Sequence, residues 1–290
     1  MRIFPVALLL FAASTAQAQM AHHHDMSGMS MDPVATAKEI QQVAQAMHAL
    51  SSEAAAKDAG FHPVFGWIPT MGEHWVNRSL MMSSNQFSMT SPNQLMFSKV
   101  AGHDSLVGAA YAYFTAANDT TRPKVFAESP GWHEHANLAP PGMTLVMLHV
   151  WFVPSPDGPF AGTNPNLPFW ALGLAAPDSA RMRDAAFVNN VRRAALALSE
   201  VADTNGVFPN LNRRMTTHAL LAPHRDSIRT IVADLRASEH RDPAKWDAAI
   251  ARAAAQWDAM YQEYQDSAIT PDGKTRIRQH VSMLLGAHEH

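Results

Sequence analysis

Residues 144–153 read TLVMLHVWFV, and this run limits the possible folds more than any other stretch of the chain. As a strand it puts Leu145, Met147, His149 and Trp151 on one face and Val146, Leu148, Val150 and Phe152 on the other. Both faces are apolar, which predicts a central strand buried on both sides. An imidazole at position 149 must then be accommodated in the interior. Each of its ring nitrogens needs a partner, because an unpaired buried polar group costs about 1–3 kcal/mol. A metal ion on one nitrogen and a carbonyl or carboxylate on the other would satisfy the ring. Two hydrogen bonds within the core would do so equally.

The neighbouring pattern supplies the rest of the sheet. Residues 94–100 and 105–114 read as strands, with shorter extended pieces near Trp67 and His74. Gly102-His103-Asp104 is the expected hairpin turn between the first two. Residues 115–142 form a long polar connection, a length more often functional than incidental. Upstream, Ile40, Val43, Met47 and Leu50 form one apolar stripe, predicting a single helix from Asp32 or Thr36 to about Asp58, stopped by Gly60. From Pro177 onward the periodicity is helical. The stripes are Phe187 to Val201, Ile228 to Leu235, Trp246 to Tyr264 and Ile277 to Leu284. Asp242-Pro243 and Thr270-Pro271 are helix starts, each a capping residue followed by proline.

The expected fold class is therefore α+β: an N-terminal helix plus a small antiparallel sheet, followed by a C-terminal antiparallel helical bundle. The expected division is residues 1–18, 19–31, 32–174 and 175–290.

The first of these segments has the form of a secretory signal peptide. Arg2 gives the positive start, residues 6–13 the apolar stretch, and Ala16-Gln17-Ala18 the small-x-small cleavage site. Cleavage after Ala18 would send the chain to a periplasm or outside the cell. No stretch reaches the roughly 20 apolar residues that span a bilayer, so no transmembrane segment is expected. The net charge of −3, with both signs scattered, offers no basic stripe for nucleic acid. The chain has no cysteine, so neither a disulfide nor a thiolate ligand is available to it.

Histidine and methionine, 16 and 17 of them, carry what chemistry the sequence suggests. Residues 19–31 read QMAHHHDMSGMSM and lack any periodicity. His22, His23 and His24 with Met20, Met26, Met29 and Met31 make this a flexible metal-collecting arm or a solubilising spacer. Within the mixed domain, His74 follows Gly72-Glu73 in an apolar stretch, and in an extended chain Glu73 and His74 face opposite ways. Trp132-His133-Glu134-His135 sets His133 and His135 on one face of an extended segment, able to reach one metal, with Glu134 turned away. Each of these histidines is a candidate ligand or an ordinary polar residue of core or loop. His218, His224, His280, His288 and His290 lack the spacing of a helical ligand pair and read as surface residues, although residues 286–290 could bind metal loosely. No Gly-x-Ser-x-Gly elbow, phosphate loop or His-Glu-x-x-His helix occurs.

Taken together, residues 71–77 (MGEHWVN), 148–151 (LHVW) and 160–166 (FAGTNPN) resemble a family of uncharacterised, mostly exported bacterial proteins. The leading helix, and the hairpin around Leu95 to Phe97 and Leu106 to Val107, are similar to that family too. The resemblance covers roughly residues 33–168 and leaves out the helical tail. It implies that His74 and His149 share a site with Asn77 and Asn164 nearby, and it implies no reaction. This chain has Leu167-Pro168-Phe169 where the family often has a cysteine, and Ser98 and Lys99 where an acidic residue closes the first hairpin strand.

The leading expectation is an exported metal-binding protein. Its ion, copper or zinc, would be held by His74, His149 and one or both of His133 and His135, with the arm as an accessory. A second expectation is a metal-dependent oxidoreductase or hydrolase on the same ligands. Glu73 or Glu134 would move protons, and Trp67, Trp75, Trp132 and Trp151 would line a place for a small apolar or aromatic ligand. The third is a metal-free structural or interaction protein whose histidines are simply core residues.

Overall fold

Three short helical pieces bring the chain into the sheet in the computed structural model, which describes residues 33–83, 87–127, 131–135, 138–202, 218–239, 241–267 and 271–285. The leader, the His/Met arm, His288 and His290 lie outside the described residues. The single helix expected up to Asp58 is broken. Helix α1 (Pro33–Ala46) ends in a 3-10 turn (His48–Leu50), and α2 (Glu53–Asp58) starts afresh. Ser52 makes the break: its backbone is extended and its side chain accepts from the Ala55 N–H as an N-cap. Gly60, at φ +86°, turns the chain out of α2, as its sequence position suggested.

Six strands then pair antiparallel: β1 (His62–Ile68), β2 (Gly72–Val76), β3 (Gln94–Val100), β4 (His103–Ala116), β5 (His133–His135) and β6 (Met143–Trp151). Helix α3 (Arg78–Ser83) lies between β2 and β3 in sequence. The strand order is β1-β2-β3-β4-β6-β5, so β6 lies inside the sheet and only Met143 at its start is exposed. That matches a run apolar on both faces. The β3–β4 turn sits one residue earlier than expected. Val100 pairs with His103, and Ala101 and Gly102 take positive φ (51° and 82°), the conformation of a two-residue hairpin turn.

One sheet face carries Trp75, Leu95, Phe97, Ala109, Tyr111, Leu148 and Val150. It packs with Val43, Met47, Ala56, Phe61, Phe126 and Phe160 into one core. Each fully buried large side chain here contributes roughly 1.5–3 kcal/mol. Asn93 extends the sheet beyond β3: its amide donates to the Ala112 carbonyl (2.8 Å) and accepts from the Ala112 N–H (2.9 Å). The opposite face carries the histidines described below.

After α4 (Leu167–Ala171) the described residues form four longer helices: α5 (Ala185–Ala202), α6 (His218–Ser238), α7 (Pro243–Ser267) and α8 (Pro271–Leu284). Asp242 caps α7 by accepting from the Lys245 N–H. Phe187, Val191, Leu198, Ile228, Leu235, Ile250, Trp257, Met260 and Leu284 share one core, and Met71, Phe169 and Leu174 belong to it as well. The molecule is thus an α+β protein with an antiparallel sheet, and no helix among the described residues is long and apolar enough to cross a membrane.

Candidate metal centre

The register of the sheet determines which side chains meet. Directly paired residues point to the same face. Ala110 pairs with His149 and Gln94, Gly108 with Trp151 and Met96, and Met96 with His74. Ala112 pairs with Met147, and Met147 with His133. His74, His133, His135, Met147 and His149 therefore share one face, although His74 lies on β2 and the others on β5 and β6. A flat sheet would set β2 and β6 roughly 14 Å apart. What lies between them on β4 is small: Gly108, Ala110 and Ala112. The imidazoles extend over these residues, and His74 Nε2 stands 3.2 Å from His149 Nε2.

No side chain fits at position 108: a Cβ there would come within 2.5 Å of the Met96 methyl and 2.6 Å of the Val150 carbonyl oxygen. Gly72 is required on β2, two strands away. It has φ +74°, and a Cβ would lie 2.6 Å from the Phe97 carbonyl oxygen as the chain turns into β2 ahead of His74.

All four imidazoles are buried, His149 most completely at 1 % exposed. The His149 and His133 ring centroids are 4.9 Å apart, and those of His133 and His135 5.0 Å. The loop 115–142 delivers the latter pair beside β6 as the edge strand β5, and not over its face. His149 Nδ1 lies 2.8 Å from the Gly162 carbonyl oxygen. A carbonyl only accepts, so Nδ1 carries the proton and Nε2 of the neutral ring presents its lone pair. Burial holds His149 well below the ordinary imidazole range, with His133 and His74 pushing the same way and the Gly162 contact opposing them. Burial also pushes His74 down to about 4, with His135 adding to the shift and the Gly72 backbone opposing it. Among the described residues, His74 Nδ1 has no hydrogen-bond partner. Both rings are neutral at pH 7.

A further donor, not anticipated as a ligand, completes the group. The Met147 sulfur lies 3.0 Å from His149 Nε2. Strand alternation already placed Met147 on the His149 face, but methionine in an apolar strand reads as core filler.

Other anticipated residues are elsewhere. Glu73 alternates to the face opposite His74, where the Trp75 indole N–H donates to it at 2.8 Å. Glu134 is exposed and paired with Arg122. Trp75 packs on Phe97 in the opposite core, Trp67 donates to Ser98, and Trp132 meets Tyr113 edge-on. Trp151 alone of the four tryptophans adjoins the histidines, its ring 5.9 Å from that of His149. Asn77 donates to the Ala59 carbonyl and accepts from the Leu80 N–H, and Asn164 donates to the Pro154 carbonyl, so both amides serve the backbone. His218 and His280 fall within α6 and α8. His224, expected at the surface, is largely covered, with a side chain 12 % exposed and bonded to Glu263 and Gln256. Helix α7, which faces α6, supplies both partners, which the spacing along one helix could not reveal.

Among the described residues, no group of three or more His, Asp and Glu side chains is placed so that it could hold a metal ion. What is assembled is His149 Nε2 in contact with both His74 Nε2 and the Met147 sulfur, with two more imidazoles alongside. No family model matches the chain, and no curated protein or solved structure matches it either.

Proposed function

We propose that this chain is an exported metal-binding protein that holds a copper or zinc ion between His74 and His149, with His133 and His135 beside them. One observation carries the reading: two buried, neutral imidazoles from strands β2 and β6 meet through their Nε2 atoms at 3.2 Å. Two nitrogens each about 2.0–2.1 Å from a tetrahedral ion stand roughly 3.3 Å apart. The Gly162 carbonyl is the outer partner that fixes the tautomer and orientation of a metal-binding histidine. Without metal, a proton donated from His74 Nε2 to His149 Nε2 occupies the same gap.

Binding is favoured over catalysis because the imidazoles are enclosed and the two candidate carboxylates, Glu73 and Glu134, do not share their face. On this reading residues 1–18 direct export and residues 19–31 collect metal for the site. The helical segment, read as an antiparallel bundle, closes the fold.

The test is metal content after loading untagged protein with Cu(I) or Zn(II) and removing the excess. We expect one tightly held ion that survives deletion of residues 19–31 and is lost in His74→Ala/His149→Ala. Equal retention by wild type and the double variant would overturn the reading.

A further inference from the structure

We propose that Met147 is a ligand of this centre and that it makes the centre select Cu(I) over Zn(II). This rests on the metal-binding reading and refines it. The neutral His149 ring directs an Nε2 lone pair at a thioether, which has no hydrogen to donate, across 3.0 Å. Two electron-pair donors in that contact gain nothing from each other. A cation lying against both turns the contact into coordination.

The donor set decides which cation. Thioether sulfur is soft and suits Cu(I), whereas imidazole serves copper and zinc alike. The chain has no cysteine, so thioether is the only sulfur it can offer. His74, His149 and Met147 are all neutral ligands, so the complex keeps the full charge of its ion. Around them lie Ala110, Ala112, Leu145 and Trp151, all buried and apolar. The cost of burying an ion in such surroundings persists even after relaxation and rises steeply with charge. A monovalent soft ion meets the lower cost and gains the better ligand.

The experiment uses the full mature chain with Met20→Leu, Met26→Leu, Met29→Leu and Met31→Leu, so that the arm offers no thioether, with or without Met147→Leu. Cu(I) affinity is read by competition with a chromophoric Cu(I) chelator, and Zn(II) affinity with a zinc indicator. X-ray absorption at the copper edge reports a sulfur neighbour directly, without relying on the variant. Leucine keeps nearly the volume of methionine, and circular dichroism checks that the variant is folded.

We expect Met147→Leu to weaken Cu(I) about tenfold or more while leaving Zn(II) within a few-fold, and to abolish the copper–sulfur signal. Unchanged Cu(I) affinity, or no sulfur neighbour in the parent, would remove Met147 while leaving the imidazole site standing. A parent that holds Zn(II) more tightly than Cu(I) would refute the selectivity. Loss of neither metal in His74→Ala/His149→Ala would instead bring down the metal-binding reading itself.

Discussion

His74 experiences two opposing demands. Its ring is enclosed by the sheet face, and burial first, then His135, holds its pKa near 4, against an ordinary value of 6.5. The folded state therefore binds fewer protons than the unfolded chain between these values, and stability rises with pH across that window. In metal-free protein, the contribution is fully present above pH 6.5 and is lost as pH falls to 4, on the order of 3 kcal/mol. Urea denaturation at pH 7 and pH 4, on wild type and His74→Gln, measures it. The expected result is a wild-type midpoint that falls more steeply with acid than the variant's. At Gly72 the constraint is steric. Gly72→Ala places a methyl against the Phe97 carbonyl in a positive-φ conformation, so we expect a loss above about 1 kcal/mol in the same assay. A stability equal to wild type would show that the turn can shift without cost.

At the scale of the element, Asn93 acts as one more rung of sheet, its amide pairing with both backbone groups of Ala112. Asn93→Ala leaves a buried N–H and carbonyl of β4 unpaired, and equilibrium unfolding is expected to register about 1–3 kcal/mol for each group left so. How far elements were legible in the sequence follows from how each is buried. β6 could be read because both of its faces are apolar, and helices α5 to α7 because each shows a single stripe. At β5 the extended His133-Glu134-His135 alternation could be read, but not its place in the sheet, since three residues become a strand only by pairing with β6. The stripe through Met47 continues past the end of α1, so apolar spacing concealed a break that Ser52 makes by capping. The meeting of His74 with His149 spans two intervening strands, where Gly108, Ala110 and Ala112 are the small residues of β4 on that face. No local reading connects those small residues to imidazoles on β2 and β6.

For the whole molecule, the core that unites the helices also includes Met71 from the end of the β1–β2 turn and Phe169 from α4. Trp257, 1 % exposed, lies in the same core. Trp257→Ala is expected to cost about 3–5 kcal/mol. Because sheet-side residues share that core, helix and sheet signals should shift together to lower denaturant. A helix transition that moves alone would show two independently unfolding parts.

The imidazoles are not anchored equally. His74 and His149 ride on strands paired on both sides, whereas His133 and His135 belong to a three-residue border strand paired on one side, with β6. The cheapest way to open the molecule is therefore to peel that border away, which would uncover the ring of His149 while its own strand stays in place. Backbone amides at 133–135 should accordingly trade their protons for deuterium well before those at 145–149, and on the metal-binding proposal that order would mark the doorway for an ion.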